Sequence, residues 1–224
     1  VVMQLGDLKE EPRNPAMQSL DPGGNAYLHN QNAFIDSLEE GVDVDARDLS
    51  DAYMFLSDLY TRERMYSNAV KSYDNAYRIA RHAHRLTPLQ AVSRLKKLIH
   101  LAYLMAGTSG MEDPLKPAVD LCDELLSECS TSFGLGSVQF ALAEVFCANI
   151  LQEARGVNVN VMNLLGDAVG VLCTELGVTD PYSKEATEDL RAIRILIQAK
   201  AQSDKDSKHR AKLIPLLGRV TAYD

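Results

Sequence analysis

Five histidines, four cysteines and a handful of Gly, Ser and Asp clusters are where this sequence could hold chemistry. His29, His82, His84, His100 and His209 form no HExxH and no Cys/His zinc spacing. His82 and His84 are two residues apart and point to different faces of a helix, which reads as surface histidine. Cys122, Cys129, Cys147 and Cys173 make no CxxC pair and sit in apolar, helical surroundings, as small buried hydrophobes of a reducing compartment do. Gly107-Thr108-Ser109-Gly110 lacks the second spacer of a nucleophile elbow, and Gly134-Leu135-Gly136-Ser137 lacks the following Lys of a phosphate loop. Asp43, Asp45 and Asp48 resemble a calcium loop in spacing, but Arg47 takes a ligand position and the Gly and closing Glu are missing, so helix capping explains them better. The sequence therefore predicts no catalytic residue, no metal and no cofactor.

What must carry the function is then the scaffold itself. At 224 residues the chain can bury roughly 70% of its extended surface without a disulfide or metal. Ala and Leu recur at helical spacing, and Val, Ile and Thr do not alternate in strand-like runs, so the class is all-α. No apolar run of about 18 residues exists to span a membrane. No Asn-x-Ser/Thr sequon occurs, which fits an intracellular protein, in the cytoplasm or an organelle lumen. The chain begins at Val1 rather than Met, which reads as a processed or trimmed product, so the lack of a targeting peptide carries no weight.

Residues 1–24, with Pro12, Pro15, Pro22, Gly6, Gly23 and Gly24, read as an extended arm. Residues 25–224 read as one domain of about nine helices, over 25–39, 46–64, 67–85, 88–107, 115–129, 136–155, 159–177, 182–203 and 207–219. The breaks have mechanisms. Thr87-Pro88-Leu89-Gln90 offers an N-cap, a proline at the first helical position and a capping-box Gln. Gly107, Gly110, Pro114 and Pro117 separate two helices, Gly134 and Gly136 the next two, and Asp180-Pro181 opens another.

Residues 53–76 place Tyr53, Leu56, Ser57, Tyr60, Ala69, Tyr73 and Ala76 in an order that resembles the tetratricopeptide-repeat signature. Weaker copies run through Ile99, His100, Tyr103, Ala118, Cys122 and Leu125, and through Leu142, Ala143, Phe146, Ala168 and Leu172. Residues 182–219 resemble a last helix pair, with Ala192 and Ala199 as close-contact positions. Repeat starts lie about 43–45 residues apart, similar to the long repeats of kinesin light chains. The resemblance implies a right-handed superhelix of antiparallel helix hairpins with a concave, partner-binding surface. Carried over onto this sequence, the groove positions are Asp51, Met54, Asp58 and Arg62, then Arg94, Lys97, Leu101 and Leu104, then Phe140 and Glu144. This mixture suits an amphipathic helix or extended peptide of a protein partner. Met54, Asp58 and Lys97 stand where the family's carboxylate clamp needs other residues, so chaperone C-termini are not the implied ligand.

Charge is strongly segmented: net −8 over 1–51, +6 over 75–111, −11 over 112–190 and +6 over 191–219. Arg78, Arg81 and Arg85 form a basic stripe on one helix face with His82, an alternative docking place for an acidic surface. Aromatics at 6% and the absence of Trp argue against nucleic acid. Antiparallel helices, acidic charge and Thr174-Glu175-Leu176 followed by Thr179-Asp180-Pro181 also loosely resemble 14-3-3 proteins. That would imply a phosphopeptide- or acidic-ligand-binding module using Arg78, Arg81, Arg85, Arg94 and Lys97. The Arg-Tyr pair of that family's phosphate grip is missing from the middle helices. A helical enzyme with a site assembled from distant residues is the remaining reading.

Overall fold

The computed structural model describes residues 32, 33, 35, 45–108 and 110–220, with side chains through residue 203. The arm 1–24 and most of the helix expected over 25–39 lie outside the described residues, although Asn32, Ala33 and Ile35 are helical. Seven helices follow among the described residues: α1 (Ala46–Arg62), α2 (Tyr66–His82), α3 (Pro88–Ala106), α4 (Lys116–Phe133), α5 (Val138–Arg155), α6 (Val159–Glu175) and α7 (Pro181–Val220). The expected break near residue 205 does not occur, so the last two helices of the sequence reading are one helix of 40 residues. The stretch Ser203–Ser207 is polar but holds neither Gly nor Pro, and polarity alone does not end a helix.

The helix starts follow the residues that can satisfy first-turn N–H groups. The Asp45 carboxylate accepts from the Arg47 N–H at 2.9 Å, fulfilling the capping role expected of it. Thr87 and Gln90 form the reciprocal capping box. The Gln90 N–H donates to Thr87 Oγ1 at 3.3 Å, and the Thr87 N–H donates to Gln90 Oε1 at 2.9 Å. Asp180 accepts from the Tyr182 N–H at 2.9 Å beside Pro181. Ser137 and Asn158 cap α5 and α6 in the same way.

The ends of α1 and α2 are closed by a device that the sequence does not advertise. The Arg64 N–H donates to the Thr61 carbonyl and the Met65 N–H to the Tyr60 carbonyl; His84 and Arg85 repeat the pattern on Arg81 and Ala80. These are two Schellman motifs. Their left-handed residues are Arg64 at φ 58° and His84 at φ 52° rather than glycine.

The described residues fall into two compact units, one up to Arg94 and one from Leu95 onward. In the first, Ile35, Ala52 and Leu56 form a small core joined by Leu49, Tyr53, Leu59 and Tyr60. The second is centred on Ala141, Val145 and Ala148 of α5, Val161, Leu165, Ala168 and Leu172 of α6, and Ala186, Leu190 and Ile193 of α7. Each such side chain removed from water contributes roughly 1–3 kcal/mol for the larger aliphatics.

Candidate functional site: the exposed face of the first hairpin

The repeat positions make the hairpin seam. Ser57 Oγ donates to the Ala69 carbonyl at 2.8 Å, and one heptad earlier Ser50 Oγ donates to the Ala76 carbonyl at 2.9 Å. Both serines and both alanines are buried. A hydroxyl can reach a carbonyl of the facing helix only if the backbones approach closely, which Ala69 and Ala76 permit because they have no bulk beyond Cβ. In the second and third copies Ile99, Ala118, Cys122 and Leu125, and Ala143, Ala168 and Leu172, are buried, whereas Tyr103, Leu142 and Phe146 are half-buried and His100 is exposed. In α4 and α5 the corresponding polar reach is made by a thiol, Cys147 Sγ to the Cys122 carbonyl at 3.7 Å.

The long separations in the weaker copies have two different origins. Between α3 and α4 it is a loop over residues 107–115. Between Phe146 and Ala168 only residues 156–158 connect the helices, so the extra length lies in the helices themselves, nine residues of α5 after Phe146 and nine of α6 before Ala168. Helix starts at 46, 88, 138 and 181 are 42, 50 and 43 residues apart, bracketing the expected 43–45.

α1 has three faces. Ser50 and Ser57 turn to α2, and Ala52, Leu56, Tyr53 and Tyr60 turn to the small core with Ile35. Asp51, Met54, Asp58 and Arg62, spaced three and four apart, share the third face. Asp51, Met54 and Asp58 are half-buried and Arg62 is exposed. Asp51 lies 3.9 Å from Arg47. Arg94, at the start of α3, donates to Ser50 Oγ at 3.3 Å, so its guanidinium stands beside this face.

The remaining groove positions belong to the second unit. Lys97, Leu104 and Phe140 are half-buried. Leu101 and Glu144, expected to line a groove, are buried instead, with 2% and 6% of their surface exposed. Leu101 is flanked by the buried Leu98 and Ala102, so the groove stripe runs into the packed side of α3. α5 is enclosed almost all round between Ala141 and Ala148, which takes Glu144 in with it. Burial, reinforced by the nearby Asp167 carboxylate, pushes the Glu144 carboxyl up to about 7. Lys96, one residue before the expected Lys97, lies over the Phe146 ring at 5.6 Å. Burial pulls its ammonium below the usual lysine range, against the opposing influence of Cys129 and Cys147.

The basic stripe is engaged within the first unit. Arg78 pairs with Asp74 at 2.9 Å on its own helix, and Arg85 with Asp45 at 2.8 Å. Arg81 donates to the Tyr77 hydroxyl at 2.6 Å and lies over the same ring. Hydrogen bonding from the Arg47 N–H, helped by Arg85, holds the Asp45 carboxyl below its usual range. An open groove of about 470 Å³ lies alongside, between Tyr53 of α1 and Asn75, Arg78, Ile79 and His82 of α2. The sequence reading missed it, although Arg78 and His82 at i, i+4 were its visible edge.

Among the described residues no group of three or more His, Cys, Asp and Glu side chains could hold a metal. Among them also, no helix is long and apolar enough to cross a membrane. Cys122, Cys129 and Cys147 are buried free thiols, as expected of small core residues, and Cys173 is half-buried. A hydrogen bond with Cys122, then burial, drives the Cys147 thiol strongly upward, so it is not a poised thiolate.

Helix hairpins closed by small-residue seams, repeating every 42–50 residues, define an all-α tetratricopeptide-like helical repeat. No family model matches the chain, and no curated protein does. Among solved structures it is similar to the crystal structure of BtubC (BKLC) from P. vanneervenii, with TM-score 0.52 and 14% identity. The likeness covers 77% of this chain and 66% of that one, so the chain spans just under two-thirds of its neighbour. At this identity it is the fold that the two share.

Proposed function

We propose that the chain is a non-catalytic scaffold or adaptor that binds a protein partner as part of a larger assembly. The face formed by Asp51, Met54, Asp58 and Arg62, with Arg94 beside it, would receive an amphipathic helix or extended peptide. The observation that carries this reading is the division of labour on α1. Two faces are spent on the hairpin seam and the small core, while the third presents the Met54 thioether between the Asp51 and Asp58 carboxylates, with the Arg62 guanidinium one turn beyond. Met supplies adaptable apolar contact, and the flanking carboxylates and guanidinium groups set the register of a partner with complementary charge.

The test is native pull-down with mass spectrometry on the full chain, wild type against Asp58→Arg combined with Met54→Glu. Partners captured by the wild type and lost by a variant with unchanged circular dichroism support the face. An identical partner set with both proteins overturns it.

A further inference from the structure

Lys96 is a lysine set in an apolar stripe of α3. It follows Val92 by four residues and precedes Ile99 by three, which puts the three side chains on one face of the helix. Val92 and Ile99 are buried, and Lys96 is half-buried between them. Its ammonium lies 5.6 Å from the centre of the Phe146 ring on α5. The titratable groups that face it are thiols, Cys129 from α4 and Cys147 from α5. Among the described residues no carboxylate pairs with it. Lys97, the next residue, is turned roughly 100° round the helix from this stripe.

A half-buried cation needs a counter-charge or water, and its surroundings here are an aromatic face and two sulfur atoms. Burial accordingly favours the neutral, nucleophilic amine over the ammonium. The thiols do not compete with it for an electrophile. Both are fully buried; burial raises Cys129, a hydrogen bond with Cys122 raises Cys147, and neither is a thiolate. Imine formation with an aldehyde needs a proton donor to expel water from the carbinolamine, and among the described residues no carboxyl faces Lys96 to supply one. Acyl transfer from a thioester needs only the neutral amine, because a thiolate is a good leaving group. We propose that Lys96, held over Phe146 between Val92 and Ile99, is a covalent modification site that takes an acyl group from an acyl thioester. The Nζ lone pair attacks the thioester carbonyl and the N–C bond forms. The C–S bond breaks, the sulfur leaves as a thiolate with the electron pair, and the proton lost by nitrogen passes to solvent. The product is a neutral amide, which removes the charge from between Val92 and Ile99.

The full chain is incubated briefly with the acetyl thioester of coenzyme A at pH 7 and at pH 10. Unreacted lysines are then capped with deuterated acetic anhydride in urea, and fragment-ion mass spectrometry reads the occupancy of each lysine. Lys97 is the internal comparison, because it shares the sequence context of Lys96 and not its stripe. The reaction at pH 10 reports mainly access, so the Lys96 to Lys97 ratio at pH 7, divided by that at pH 10, isolates the environment of the amine. This quotient is expected to be about threefold or more in the folded chain and to fall to about one when acetylation is carried out in concentrated urea. A quotient of one or below in the folded chain overturns the proposal. So does a Lys96 that takes no acetyl group at either pH, or a quotient that stays as high in urea, where the fold no longer sets the reactivity.

Discussion

The α1–α2 seam of the first unit and the α4–α5 seam of the second solve one problem with different atoms. Both need two helices close together with a short side chain reaching across. The first uses two serine hydroxyls one heptad apart, bonded to carbonyls at 2.8 and 2.9 Å. The second uses one cysteine thiol at 3.7 Å. Hydroxyl bonds are directional and fix the register of the hairpin, whereas a thiol behaves mainly as a small hydrophobe. The second unit is therefore defined by aliphatic packing, and it holds a buried carboxyl at Glu144 and a lysine over the Phe146 ring. Signature sequence is clear where directional contacts set the geometry and faint where shape alone does.

The comparison breaks most decisively at Ser57. Ser57→Leu forces about three extra carbons into a closed seam and should destabilise the protein by roughly 3 kcal/mol or more, seen as a lower urea midpoint. Glu144 should act in the opposite sense. Its proton leaves the unfolded chain near the ordinary glutamate value of 4.5 but the folded one at about 7. The folded state thus binds the proton more tightly, and stability falls as pH rises through that window. Glu144→Gln should remove this loss and stabilise the protein at pH 8 by up to about 3 kcal/mol, with little change at pH 4. Equal melting shifts of the variant at both pH values would count against a neutral buried carboxyl.

Smaller effects sharpen the picture. Thr87→Ala removes half of the capping box and should cost about 1 kcal/mol, read by chemical denaturation. Arg64→Gly relieves a left-handed non-glycine residue and should stabilise by at most about 1 kcal/mol, because the added freedom of the unfolded chain offsets part of the gain. Melting temperature would report it as a rise of a few degrees at most.

The capping residues, the seam residues and the all-α class were legible because each is a local rule: a side chain of the right length next to the N–H or carbonyl that it satisfies. Helical spacing puts Asp51, Met54, Asp58 and Arg62 on one face of α1. It could not say which of two apolar faces is covered. That choice is tertiary, and it is why Leu101 and Glu144 went inside while Ala192 and Ala199 stayed out. The ends at Arg64 and His84 were illegible for another reason, since the left-handed residue there is not the glycine that would announce it. The continuous α7 was hidden by a polar stretch that resembled a loop in composition but held no breaker.

The ion pair between Arg85, just past the end of α2, and Asp45, just before the start of α1, joins the two loose ends of one hairpin. Isolated helices open from their termini, and amide hydrogens there exchange first. Here the terminus of each helix is held by the other, beside a Schellman motif on one and a side-chain cap on the other. The first-turn amides of α1 and the last carbonyl-bonded amides of α2 should then exchange together, at one common rate, rather than as two independently fraying ends. Acidification below the Asp45 titration would uncouple them, turning a single opening event into two.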